Sequence, residues 1–474
     1  MGNDATTLLR RIPAVTQLLA STAGAALVTE FGEGVTKFEL RRVLDELRQQ
    51  IRGGVVREVP DIAGLAFLLR RELTRLTRPA SRQAINGTGI LLHTGLGRAP
   101  LAPTAVAAVT AAAEYTVLQA SLQTGDRSLR EQRVEQLLIE LTGCEAATVV
   151  NNNAAATMLV LNTLAAGREV IVSRGQLVEI GGSFRLPDVM ARSGAILREV
   201  GTTNRTHLRD YEEAIGENTG AIIHVHTSNY RIRGFSGTPG VRELCELGRR
   251  RQVPVIDDLG SGALVPLQEF GLTNEPLVPD SVAAGADLIC FSGDKLICGP
   301  QSGLICGREA VVARARKNPF ARMFRVCKLT LAGLEATLLH FVNGDYRQAL
   351  PLYQMLGTPL AEVEARAERL LARLGQPGIA GLALSKESDQ SYIGSGSLPD
   401  EGLPTCVVSV RRPGLSPDEL ARRLRLGLPP VFARIRDDAV VLDLRSISPE
   451  QLAPLAACLR QALDAGPAPG VAAN

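Results

Sequence analysis

From residue 146 onward, short apolar runs alternate with amphipathic stretches, and this alternation constrains the fold more than any other feature. Residues 146–150, 170–172, 221–225, 253–256 and 288–291 form runs too short for a helix. They carry few polar residues to mark a solvent face, so they read as strands covered on both sides. The segments between them have helical periodicity, as at 241–250. Alternation of this kind predicts an α/β domain around a mostly parallel sheet.

The texture differs at either end. Leu40, Val43, Leu44, Leu47 and Ile51 recur at three- and four-residue steps among charged residues, which marks an amphipathic helix. A second such run covers 62–76. This segment reads either as a packing module or as a partner-binding module. From about residue 340, a long helical stretch (360–374) precedes strand-like runs at 406–410 and 439–444. Helix-like runs at 415–424 and 449–463 accompany them. The expected organisation is a helical segment at 1–78, an α/β domain at 79–335 and a smaller α+β domain at 336–464. The Ala/Gly/Pro-rich tail, 465–474, is expected to be disordered.

Composition narrows the function classes. No uncharged apolar run approaches the roughly 18 residues of a membrane span. The chain has no Trp and only 4% aromatics, which disfavours reading single-stranded nucleic acid by stacking. The net charge is +3, and residues 1–80 hold all of it, with 12 basic against 9 acidic residues. That surplus permits a phosphate-backbone contact; a solvated helical face is the other reading. None of the eight cysteines forms a Cys-x-x-Cys pair. Cys290, Cys298 and Cys306 recur every eight residues, which suits no zinc site. His224 and His226 lie two apart without a third ligand nearby, so no metal is expected. Residues 1–6 fit a short myristoylation pattern, and Arg10-Arg11 precedes a stretch interrupted by Pro13 and Gln17. Neither is read as a targeting signal, and the expected location is cytoplasmic.

Basic charge is carried almost wholly by Arg. The Lys residues are Lys37, Lys295, Lys317, Lys328 and Lys386. A Lys among small residues therefore stands out, because Lys can lose its proton and Arg cannot. Lys295 follows the run at 288–291 within Ser292-Gly293-Asp294-Lys295. Burial there would favour the neutral amine that imine chemistry needs; an exposed loop lysine is the alternative. Asp257-Asp258, at the end of another run, could pair with a protonated pyridine nitrogen or simply cap a turn. Asn151-Asn152-Asn153-Ala154-Ala155-Ala156 opens a helix after a strand, where backbone N–H groups can meet a phosphate. Ser292 could add a hydroxyl donor. Arg98, Arg322 and Arg325 lie among small residues, either as oxyanion ligands or as surface charge.

Together, the order strand–Asp, 37 residues, strand–Ser-x-x-Lys resembles fold-type-I pyridoxal-phosphate enzymes. A narrower resemblance rests on longer blocks. These are Gly87-Thr88-Gly89, His93-Thr94, Leu96-Gly97-Arg98, Val150 through Ala156, Ser173-Arg174-Gly175 and Val178 through Gly182. Further blocks are Val200 through Thr206, His226 through Tyr230, Asp258 through Gly262, Phe291 through Gly303 and Ile393 through Pro399. They resemble the bacterial selenocysteine synthase family, the L-seryl-tRNA(Sec) selenium transferases, over essentially the whole chain. The resemblance implies that Lys295 carries pyridoxal 5'-phosphate and that Asp258, rather than Asp257, faces its ring nitrogen. Ser292, Asn153, Ala154 and Ala155 would complete the cofactor site. Arg98, Arg322 and Arg325 would bind selenophosphate. The 1–78 segment would grip the seryl-tRNA(Sec), and the chain would form a homo-oligomer, a ring of dimers. Two departures stand in loops: Gly95 where the family usually has Asn, and Ser128 where it usually has a second Gly. A small-molecule lyase of the same superfamily and a non-catalytic tRNA-binding homologue are the alternative functions.

Overall fold

In a computed structural model of the chain, residues 2–180, 184–230, 232, 234–273, 275–375, 381–394 and 397–464 are described. The expected disordered tail, and Gly181, Gly182, Ser395 and Gly396 of the resemblance blocks, lie outside them. The chain divides into two compact units, Met1–Gln83 and Ala84–Asn474.

The first unit is all helical: Gly2–Arg11, Val15–Ala20, Thr22–Phe31, Glu33–Arg52 and Ile62–Thr77. The apolar stripe read from the sequence is its core. Leu40, Val43, Leu44, Leu47 and Ile51 are all buried, packed with Leu27, Leu65, Leu69 and Leu73. Asp61 caps the last helix by accepting from the Gly64 amide at 2.7 Å, filling one of the open N–H positions of a first turn.

The second unit holds 14 strands among its described residues. They are β1 (Ile85–Gly87), β2 (Ala146–Val150), β3 (Glu169–Ser173), β4 (Glu179–Ile180), β5 (Phe184–Arg185), β6 (Ile196–Val200) and β7 (Thr219–Val225). Then follow β8 (Val255–Gly260), β9 (Leu288–Ser292), β10 (Gly303–Gly307), β11 (Ala383–Gly394), β12 (Ser397–Arg411), β13 (Val431–Arg436) and β14 (Ala439–Asp443). The central sheet runs β2-β10-β9-β8-β7-β3-β6. Only β10 is antiparallel to its neighbours. Because β10 reverses between β2 and β9, those two run the same way. The C-terminal ends of β2, β7, β8 and β9 therefore share one edge, where sheets of this kind take ligands.

Alternating side chains of the strands feed two separate cores. Ile171, Ile222, Ile289 and Phe291 enter one. Val170, Val172, Ile223 and Cys290 enter the other. Burial on both faces explains why these strands read as continuous apolar runs. The second sheet, β1-β13-β14-β12-β11, is largely antiparallel and packs on helices Leu360–Leu374, Pro417–Leu426 and Leu452–Asp464.

The α/β class with a helical start and a smaller α+β end is the one the sequence led to. Three details differ. Residues 85–87 were expected to open the α/β domain, but they pair in parallel with Val431–Ala433 of the second sheet. The expected boundary at 335/336 falls inside the helix Lys328–Asn343, which packs on Pro103–Ala111 and Gln132–Thr142. Gly303–Gly307, absent from the strand-like runs read in the sequence, is the strand β10. Among the described residues, no helix is long and apolar enough to cross a membrane.

Candidate active site

A cavity of about 370 Å³ opens at the edge where β2, β7, β8 and β9 end. Arg98, Asn153, Ala154, His226, Ser228, Asp258, Ser292 and Lys295 line it. The site residues expected from sequence thus converge here from segments far apart in the chain. Ala155, Arg322 and Arg325 do not line it.

Asp258 sits on β8, opposite Val225 of β7 and Cys290 of β9. Asn153 Nδ2 and Thr157 Oγ1 donate to its two carboxylate oxygens, at 2.8 and 3.0 Å. Both donors come from the helix Asn153–Ala165, so the segment expected to greet a phosphate also holds the acid. Burial pushes the Asp258 carboxyl up, and the two donors oppose that shift only in part. An adjacent cation would restore the charged form.

Asp257 points to the opposite face, as strand alternation requires. It is fully buried, bonded to His224 Nδ1 at 2.8 Å and to Ser281 Oγ at 2.5 Å. This separates the two acids in the sense the family resemblance implied, with Asp258 at the cavity.

Lys295 follows β9 in a tight turn and is only 5% exposed. Burial lowers its amine from the ordinary lysine value, and the Arg98 guanidinium lowers it further. Arg98 is itself held by Asp294, with Nη1 at 2.8 and 2.7 Å from the two carboxylate oxygens. Room at the amine depends on Gly260, whose φ of +69° favours glycine. A Cβ there would lie 3.8 Å from Lys295 Nζ and 3.6 Å from Ser228 Oγ, in the space a group joined to the amine needs.

The helix terminus is partly spoken for. Asn152 caps it by accepting from the Ala155 amide at 2.9 Å. Ala155 therefore offers no free amide to an anion, whereas Ala154 and Ser292 face the cavity. Arg322 and Arg325 are exposed beside Arg130, whose guanidinium they lower by repulsion after burial. The main chain of Arg325 bridges to Val150 at the end of β2. Sequence reasoning missed Arg130, Thr157 and Ser228. Thr157 could have been found as the residue one helical turn beyond Asn153.

These residues fit pyridoxal phosphate. A buried amine, a buried acid and a helix start share one cavity, and Asn153 Oδ1 is buried there without a hydrogen-bond partner. Such an orphan acceptor is uncommon unless a ligand completes the site.

Two family models match the chain: L-seryl-tRNA selenium transferase over residues 84–448, and selenocysteine synthase N terminal over residues 9–48. A relative from Solidesulfovibrio magneticus, named L-seryl-tRNA(Sec) selenium transferase, is 46% identical over 462 residues, covering 96% of this chain and 98% of its own. One of the same name from Rhizobium meliloti is 46% identical, with 93% and 95% covered. Among solved structures, a D-glucosaminate-6-phosphate ammonia-lyase shares the fold at a TM-score of 0.58 and 21% identity, covering 81% of this chain and 96% of that one. With matches that span the catalytic unit and the helical segment alike, the chain belongs to the L-seryl-tRNA selenium transferase family.

Proposed function

We propose that this chain converts L-seryl-tRNA(Sec) to L-selenocysteinyl-tRNA(Sec), with pyridoxal 5'-phosphate as cofactor and selenophosphate as selenium donor. The observation that carries this reading is the buried Lys295 amine in one cavity with Asp258 and Arg98, in a chain of this family. The family's N-terminal model at 9–48 favours a tRNA substrate over the small molecules of a lyase.

Pyridoxal phosphate, joined to Lys295, would supply the electron sink that makes the seryl Cα–H acidic and its β-hydroxyl expellable. The remaining work falls to the chain. Asp258, kept in place by Asn153 and Thr157, would hold a proton on the cofactor ring nitrogen. Ala154 and Ser292 would donate to the phosphate. Lys295 Nζ, once released, would take the Cα proton; its lowered basicity keeps a neutral amine available for that step. Arg98, held by Asp294, would present positive charge to the incoming selenium donor. Net, the seryl hydroxyl leaves the β-carbon as water, the selenium of selenophosphate bonds to that carbon in its place, and water cleaves the Se–P bond to release phosphate. The basic surplus of the helical unit suits a phosphate backbone. Arg322 and Arg325 would serve the donor from beside Arg130, and assembly of dimers into a ring would complete each site.

The test is the visible spectrum of the purified protein before and after borohydride, with mapping of the reduced adduct. A coloured protein whose adduct maps to Lys295, and which makes selenocysteinyl-tRNA from selenophosphate, is expected. A protein that stays colourless with added cofactor would remove the reading.

A further inference from the structure

A second cavity, of about 250 Å³, adjoins the first. Val225 and His226, at the end of β7, form a wall common to both. Its walls are chemically unlike those of the first. Ser173, Gln176, Thr203, Asn204 and Thr206 offer hydroxyls and amides, which both donate and accept. Among its described lining residues Arg205 is the sole permanent charge, and none is a carboxylate. His224 is presented to this space with Nδ1 fixed by the buried Asp257, which is anchored in turn by Ser281. Tyr230 borders the cavity with its hydroxyl bonded to the Gly175 carbonyl.

We infer that this cavity receives the terminal nucleoside of the aminoacyl-tRNA, with its hydroxyl-rich walls on the ribose that carries the seryl ester. The inference rests on the function proposed above and says where its substrate sits. A seryl group placed at Lys295 leaves its ribose one ester linkage away, and this cavity shares the wall Val225–His226 with the one that holds Lys295. A vicinal diol needs donors and acceptors together, which these walls supply. The volume lies just under the ~300 Å³ at which pockets for drug-sized ligands begin, room for one nucleoside rather than a run of them.

Gly237 lines the cavity, and a Cβ built there meets nothing within 4 Å. Its amide and carbonyl serve Asn204 and Thr206 through the main chain, so a side chain can be added without removing those bonds. The experiment uses the full chain loaded with pyridoxal phosphate. Labelled adenosine in equilibrium dialysis, and adenosine as an inhibitor of seryl-tRNA turnover, probe the site. Binding and competitive inhibition are expected in the unsubstituted chain. Gly237→Phe should raise KM for seryl-tRNA at least tenfold and abolish adenosine inhibition, with the cofactor spectrum unchanged. Thr203→Val, nearly isosteric, should raise KM severalfold and guards against a folding failure in the first variant. Absence of adenosine binding, displacement of adenosine by inorganic phosphate, or a KM within twofold for both variants would each overturn the inference while normal turnover leaves the function standing. A chain that takes up no cofactor and turns over no seryl-tRNA overturns both.

Discussion

An amine that is to attack a carbonyl carbon must first be neutral, and free lysine holds its proton up to about pH 10.4. Burial and the Arg98 charge both lower the Lys295 value. Cofactor capture by the cofactor-free protein should therefore rise with pH and level off below pH ~10.4. Arg98→Ala removes the second of these causes, so the midpoint should move up; stopped-flow absorbance across the pH range checks this. The same shift acts on folding. Unfolded Lys295 binds its proton more tightly than folded Lys295, so this group's contribution to stability increases with pH between the two values. Lys295→Ala should abolish turnover and the bound-cofactor spectrum while leaving the helical unit's unfolding unchanged. Asp258→Asn keeps the bulk but forfeits the charge; cofactor affinity should fall, with turnover down by ~10²-fold or more, read by absorbance titration and initial rates. Lys295 was legible because lysine is scarce in this chain. Local pattern did not tell Asp257 from Asp258; the family resemblance singled out Asp258, and the physical reason, strand alternation relative to neighbouring strands, is a non-local property. Arg322 and Arg325 were named from their small neighbours and the family resemblance, and their separation from the cavity depends on a helix–loop path no local pattern encodes.

At the scale of elements, legibility followed apolar contrast. The helix Glu33–Arg52 shows its buried stripe in the sequence because its other face is charged. Leu44 is fully buried in that stripe. Leu44→Ala should cost about 2–5 kcal/mol, seen as a lower urea midpoint for the helical unit. Strands β2, β7, β8 and β9 were visible as apolar runs because both faces are covered. β10 was hidden by the glycines at both its ends, Gly303 and Gly307. A Cβ on Gly303 would press on the Asn152 carbonyl at 2.1 Å, so glycine there serves close approach of two backbones rather than a turn. β11 was hidden for another reason: its sequence ALSKESDQSYIG is polar, and most of its residues are only partly buried or exposed, as a sheet edge tolerates. β6 is likewise an edge strand with a mostly exposed pattern.

For the whole molecule, the helical unit has a core of its own, distinct from the three larger cores of the second unit. Removal of residues 1–83 should therefore leave the cofactor spectrum of the remaining chain intact and abolish tRNA binding, measured by filter retention at fixed salt. Loss of the spectrum would mean that the second unit cannot hold its site alone.

One strand pairing has a consequence for how this polypeptide is made. Ile85–Gly87 lies down beside Val431–Ala433, so the opening strand of the second unit finds its partner only after about 340 further residues have been made. Until residues 431–433 have left the ribosome, the early strand has unmet backbone groups and its sheet lacks a border. The central sheet can mature before residue 431 is made, but the second sheet closes only afterwards, with the slow ring closure that distant contacts impose. A nascent chain arrested before residue 431 should thus be protected from protease at β2 through β10 and cleavable around residue 85.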